Sequence, residues 1–392
     1  MMKIIGIREM DVPLTATFSN AVVNFEGHRS SLVAVFAQVS ASGGRIRRLA
    51  GVAFNSIGRH SQGGILRDRM ISRVLAAPAD DLIEPTTGII DPARVLRTAM
   101  QGEKPGGHGD RASAAAAIEL ACWDLLAKYN DEPAYRTISR AFGTEPLTGG
   151  APVYAAGGYY KPGDDLGQLA DELTDYLDTG YEAVKIKIGG LPLVDDMRRV
   201  EAALRVTGTG ERLAVDANGR FDGPESISYA QALAPYGLRW FEEPVDPLAY
   251  GLHSELTALY EGPLATGENL FSVRDVENLM AFGGLRADRD ILQMDAGLSY
   301  GLTEYVSMLE RLNAHGFSRR SAMPHGGHLI NLHIVVGLGL GGCEAYPGVF
   351  EPFGGYSDDC VLADGLIRPA DRPGFGLEAK AGLVEHIERL TS

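Results

Sequence analysis

The chain has 392 residues, 45% apolar and 22% charged, with 36 Lys and Arg against 51 Asp and Glu for a net charge of −15. That length exceeds a common single domain two- to threefold, and the balanced composition excludes a disordered or collagen-like chain. No apolar run approaches the ~18 residues of a membrane span, and an acidic field disfavours a nucleic-acid partner. Three cysteines (Cys122, Cys343, Cys360) without a CxxC spacing argue against a disulfide framework or a thiolate zinc site. The opening MMKIIGIREM lacks the basic, apolar and small-residue succession of an export signal, so a cytoplasmic protein is expected.

Residues 1–148 read as a small α+β domain. SSLVAVFAQVSASGG (30–44) alternates apolar with small or polar residues, and RIRRLAGVAFN (45–55) resumes the pattern after a Gly turn, which predicts a hairpin. Helical patterns follow at 65–76, 92–100 and 112–129, the last an alanine-rich run with Asp110 and Ser113 as candidate caps. Across 149–350 short apolar strands alternate with amphipathic helices. Strands are expected at 151–158, 182–190, 212–219, 238–244, 264–270, 291–299, 319–327 and the Gly-rich 336–346. Eight such units predict an α/β fold of (β/α)8-barrel type, capped by the N-terminal domain. Residues 351–392 carry PFGG and RPADRPGFG, too turn-rich for a further unit, and are expected to return to the capping domain.

Six consecutive strands end in an ionisable residue: Lys187, Asp216, Glu242, Glu268, Asp295 and His325, at intervals of 26 to 30 residues. One strand–helix unit has about that length, so these side chains converge on one mouth of the barrel. Asp216, Glu242 and Glu268 form an all-oxygen set suited to Mg²⁺, one per subunit, with Asn218, Glu243 and Asn269 beside them. Lys185 and Lys187, two apart on a strand, share a face. Two adjacent ammonium groups near a divalent cation are expected to depress the lysine pKa and make Lys187 a general base. Asp295, one unit before His325, would hold that imidazole in one tautomer on the opposite side.

KIK, VDANG, FEEP, TGEN, QMD and PHGGH, in this order and spacing, resemble the mandelate racemase branch of the enolase superfamily over the whole chain. The resemblance implies Mg²⁺ on Asp216, Glu242 and Glu268, Lys187 as the base that removes a proton α to a carboxylate, and an Asp295–His325 dyad. Longer segments, including GRHSQGGILRDR (58–69), GEKPGGHGDRASAAAAIELACWD (102–124) and PHGGHLINLH (324–333), resemble the acid-sugar dehydratases, and among them those acting on D-tartrate. The implied reaction is dehydration of D-tartrate to oxaloacetate, by a homo-oligomer that binds neither nucleic acid nor membrane. A tartrate enzyme must also hold the distal carboxylate. Lys104, in the flexible loop GEKPGGHG, is the candidate cation for it. Asn55 is a candidate hydroxyl partner, with Arg59 and Lys161 as alternatives, and Lys185 and Glu344 complete the expected substrate contacts. The competing readings are dehydration of another C5 or C6 acid sugar, racemisation or epimerisation of a 2-hydroxy acid, a Schiff-base aldolase using Lys185, and a non-catalytic metal-binding barrel or sugar-acid sensor.

Overall fold

Three antiparallel strands open the chain, β1 (Met2–Pro13), β2 (Arg29–Ser40) and β3 (Ile46–Phe54), side by side in that order. The computed structural model describes residues 1–40, 46–161, 163 and 166–392, so the expected Gly turn at 41–45 lies outside the described residues. The hairpin of β2 and β3 is as read from sequence, whereas β1 is new. A register shift between Ile4 and Gly6 breaks the two-residue alternation that would have announced it.

The helix Asp110–Asn130 lies across β2 and β3. Its alanines let the backbones approach so closely that a Cβ on Gly51 of β3 would fall 2.1 Å from the Ala121 carbonyl oxygen. Neither Asp110 nor Ser113 caps this helix; Gly109, in the left-handed region at φ 69°, takes the cap position. The Ser113 hydroxyl instead donates to the Gly297 carbonyl of the barrel (3.3 Å).

The barrel wall runs through β4 (Ala151–Ala156), β5 (Val184–Lys187), β6 (Leu213–Asp216), β7 (Trp240–Glu242), β8 (Leu264–Thr266) and β9 (Ile291–Leu292), all parallel. The seventh position is a short irregular stretch rather than a strand. Ala322 bridges Leu292, and Met323 donates to the Leu292 carbonyl (2.9 Å). Strand β10 (Cys343–Ala345) closes the barrel by pairing in parallel with β4. The Gly-rich segment expected to be a strand from 336 is therefore corrected. Residues Leu329–Leu338 form a helix, ended by Gly339 at φ 69°, and only three residues of that segment enter the sheet. Tyr154, Trp240 and Met323 plug the floor, the two rings meeting edge-on at 4.9 Å. No helix of the described residues is long and apolar enough to cross a membrane.

After β10 the chain returns to the cap. β11 (Val361–Ala363) and β12 (Leu366–Arg368) form a hairpin against β4, and the helix Ala381–Thr391 packs on β1 and β2. Buried Asp124 joins the tail to the cap, accepting the N–H of Phe375 (2.6 Å) and that of Val52 (2.7 Å). Buried Glu119 joins cap to barrel. Gly301 offers no side chain to cap the helix Leu302–Ala314, and Glu119 accepts the N–H groups of Leu302 (2.8 Å) and Thr303 (3.0 Å) in its place.

Removing Glu119 leaves these donors buried and unpaired, so Glu119→Ala should cost about 2–4 kcal/mol in urea unfolding, and Glu119→Gln less. His333 gives a second test. Burial pushes its imidazole down to about 3, and its Nδ1 accepts the Tyr135 N–H (3.3 Å). The folded chain therefore refuses a proton that the unfolded chain takes below about pH 6.5, and stability is lost as pH falls toward 3. Between pH 7 and pH 5 this one group should remove about 2 kcal/mol, a slope that His333→Gln should lack.

Candidate functional site

The strand register sets the first half of the site. Lys187 lies opposite Asp216, and Asp216 opposite Glu242, so three ladder residues share one rung of the barrel. Lys185 and Lys187 both point inward and are buried, as their spacing predicted. The Nζ of Lys185 sits 2.5 Å from Glu242, 2.7 Å from Glu344 and 3.6 Å from Asp216, and that of Lys187 sits 2.5 Å from Asp216. Burial alone would lower both amines, but Glu242 and Glu344 at Lys185, and Asp216 at Lys187, outweigh it and hold both above the ordinary value. In turn the two ammonium groups overcome burial at Asp216 and hold it down at about 2.

Glu242 and Glu243, adjacent in the chain, meet different surroundings. Glu242 faces the barrel interior, where Lys185 takes one oxygen and the donors of Trp240 (2.8 Å) and Gln293 (2.7 Å) take the other. Glu243, in the left-handed region at φ 38°, turns onto the wall of a cavity of about 330 Å³ and accepts from Asn269 (2.9 Å). Burial and the nearby Glu268 push its carboxyl well up. Glu268, Asn218, Lys187 and His325 line the same cavity. Asn218, also left-handed at φ 51°, donates through its N–H and side-chain amide to Asp216, while its own Oδ1 is buried without a partner. As they stand, no three His, Cys, Asp or Glu of the described residues close on one point as ligands would, because Lys185 and Lys187 occupy the faces of Glu242 and Asp216. The donor set nevertheless fits a hard divalent cation. It offers carboxylate oxygens from three neighbouring strands, an unpaired amide oxygen beside them, and a carboxyl, that of Glu243, pushed up by burial and by the nearby Glu268.

The opposite wall carries His325 and Asp295. His325 Nδ1 lies 3.3 Å from Asp295 Oδ2, and its Nε2 faces the cavity, 3.1 Å from the Tyr346 hydroxyl and 3.7 Å from Glu268. Burial disfavours the imidazolium, but Glu268 and the bond to Asp295 hold its pKa up at about 9. Glu344 accepts the Gly326 N–H (2.9 Å) in addition to pairing with Lys185, which ties the two walls together.

The cap contributes less of what was expected and something that was underweighted. Lys104 is exposed and does not line the cavity; its carbonyl accepts from Arg111 (2.8 Å). Asn55 is buried with its polar atoms spent on backbone. It accepts from Ser31 N–H (2.5 Å) and donates to the carbonyls of Arg59 and His60, so it pins the loop 55–60 rather than facing a ligand. Lys161 is paired with Glu172 (2.6 Å) outside the cavity. Arg59 does line it, held by Asn269 (2.8 Å) and stacked over Phe271, its guanidinium carbon 4.9 Å from the ring centroid. Gly58 passes close to the dyad. Its φ of 105° suits only glycine, and a Cβ there would lie 3.6 Å from His325 Cε1.

Two cavity residues escaped the sequence reading. Tyr159, whose ring lies 5.1 Å from Lys187 Nζ, follows β4, and Tyr346 follows β10. They stand where the first and eighth members of the ladder belong, and a phenol carries no charge that would mark it as a member.

Residues 168–382 match the family model of enolase C-terminal domain-like proteins. Arabinonate dehydratase of Saccharolobus solfataricus is 25% identical over 296 residues, 72% of this chain and 74% of that protein. L-talarate/galactarate dehydratase of Salmonella typhimurium is 27% identical over 301 residues, 76% of this chain and 71% of that protein. A racemase from Streptomyces coelicolor, crystallised with bound magnesium, superposes with a TM-score of 0.75 at 21% identity, covering 100% of this chain and 99% of that one. With more than half its length inside the family model, the chain belongs to the enolase superfamily, among its enolase C-terminal domain-like proteins.

Proposed function

We propose that the protein is a Mg²⁺-dependent hydro-lyase for acid sugars and that its substrate is D-tartrate, dehydrated to oxaloacetate. The observation carrying this reading is one small cavity lined by an amine, Lys187, and an imidazole, His325, together with the carboxyl groups of Glu243 and Glu268, with Asp216 paired to the amine. Relatives that dehydrate arabinonate and talarate or galactarate support the reaction class. Asp216, Glu242 and Glu268 would hold the cation, with Glu243 and Asn218 beside them. When bound, it supplies the Lewis acidity that makes a proton α to a carboxylate removable.

The chain's own residues then divide the work. Lys187 Nζ removes the α-proton. Asp216, 2.5 Å away, is its ion-pair partner, so Lys187 acts as a base when that carboxylate is otherwise engaged. Lys185, fixed by Glu242 and Glu344, keeps positive charge beside the developing enediolate. His325 Nε2 delivers a proton to the departing 3-hydroxyl, which leaves as water, and the enol ketonises. Arg59 is the cation for the distal carboxylate. No carboxylate of the described residues pairs with it, and Asn269 and Phe271 hold it in place. Two proton-transfer groups on opposite walls would also serve a racemase, which exchanges the α-proton without losing water.

Lys187→Ala and His325→Asn should each lower kcat for α-keto acid formation by about 10²–10⁴-fold while the far-ultraviolet circular dichroism stays unchanged. Near-native turnover by either, or full activity after exhaustive chelation, would remove the mechanism. Arg59→Ala should raise KM for tartrate about tenfold or more and KM for monocarboxylate sugar acids little, because a charged hydrogen bond is lost only with the diacid. Lys104→Ala should change neither; an effect confined to Lys104 would return the distal anchor to that loop.

A further inference from the structure

The hydrogen bonds behind His325 run in a single direction and pass through a residue of the cap. The Asn331 N–H donates to His328 Nδ1 (3.3 Å), which leaves the proton of the neutral ring on Nε2. His328 Nε2 lies 2.9 Å from Ser56 Oγ. The Ser56 hydroxyl accepts there, so its own proton is directed to Asp295 Oδ2, 2.5 Å away. The other Asp295 oxygen is taken by the Gly297 N–H (2.8 Å). With its carboxylate held on both sides, Asp295 presents Oδ2 to His325 Nδ1, and the remaining nitrogen, Nε2, looks into the cavity. Burial keeps His328 neutral, its imidazole pushed down to about 4, which fits a donor through one nitrogen only.

Ser56 follows β3, in the loop 55–60 that Asn55 pins, and it is fully buried against the barrel. Its backbone N–H donates to the Gly297 carbonyl (3.3 Å). Two glycines make room for it. A Cβ on Gly326 would stand 2.7 Å from Ser56 Oγ and 2.6 Å from Asp295 Oδ2, and a Cβ on Gly297 would stand 2.7 Å from Ser56 Cβ. The pocket around this hydroxyl is thus closed on the barrel side and filled from the cap side.

We propose that Ser56 is a positioning residue for His325: supplied by the capping segment, its hydroxyl fixes Asp295 so that the imidazole is aimed at the leaving group only when the loop 55–60 is docked. This rests on the dehydratase reading, in which His325 is the acid and Lys187 the base. Ser56 acts through Asp295 and does not touch the substrate, so its loss should impair elimination and spare α-proton removal.

The test uses the full-length Mg²⁺-loaded protein and four forms: wild type, Ser56→Ala, Asp295→Asn and the double variant. Dehydration rate, KM, and deuterium exchange at the α-carbon in D₂O are measured for each, with a thermal melt. Ser56→Ala should lower kcat about 10- to 100-fold, leave KM and α-exchange within about threefold, and melt like the wild type. In the Asp295→Asn background it should change kcat by less than about twofold, since both substitutions break one chain. An unchanged kcat, a parallel fall in exchange and elimination, or independent multiplication of the two effects would each overturn the proposal. A wild-type protein that neither exchanges nor dehydrates any acid sugar would overturn the functional reading, and this inference with it; wild-type turnover with an unaffected Ser56→Ala overturns the inference alone.

Discussion

The molecule is organised around an imbalance of buried charge. Asp216, Glu242, Glu243, Glu344 and Asp295 are all withdrawn from water, and the charge set against them is that of Lys185, Lys187 and His325. Removing carboxylates from water is tolerated only where donors surround them. That requirement explains why Trp240 and Gln293 turn their N–H groups to Glu242, why Asn218 turns two donors to Asp216, and why both lysines are paired. It also explains why a second positive species belongs there. The lysines pair with the rung they touch, whereas Glu243 and Glu268 line the cavity without a lysine or arginine partner among the described residues.

The cap is fastened to the barrel by directed bonds rather than by apolar contact alone. Glu119 caps the first turn of a barrel helix, Ser113 bonds a barrel carbonyl, and Asp124 ties the returning tail to β3. Bonds of this kind fix orientation, and they leave the short loops at 20–25 and 55–60 as the parts of the cap that line the cavity. Specificity can then change in those loops without disturbing the rung of lysines and carboxylates below.

Much of this was legible because a barrel repeats. One ionisable residue per strand–helix unit revealed both walls of the site, and the two-residue spacing of Lys185 and Lys187 gave their common face. What depends on summed fields was not legible. The surroundings of the lysines are set by three carboxylates gathered from distant segments, which an argument from chain neighbours alone does not supply. Nor could sequence separate Glu242 from Glu243, since one backbone angle decides which of them faces the cavity. Lys104 and Asn55 were chosen for their chemistry in loops, where spacing carries no geometric information; Arg59 was among the alternatives and is the one that reaches the cavity. The strand β1 was hidden by its bulge, and the seventh barrel position by its irregularity.

Glu243 and Asn218 hold left-handed backbones that a side chain adopts only at a cost in stability, and they do so where negative charge is already crowded. A chain screened for heat resistance alone would therefore be drawn toward glycine at these two positions and toward neutral residues around them. Such a lineage would keep its barrel and grow sturdier as its chemistry disappeared. Thermal hardening of this scaffold has to be pursued away from the mouth, with turnover followed at every round.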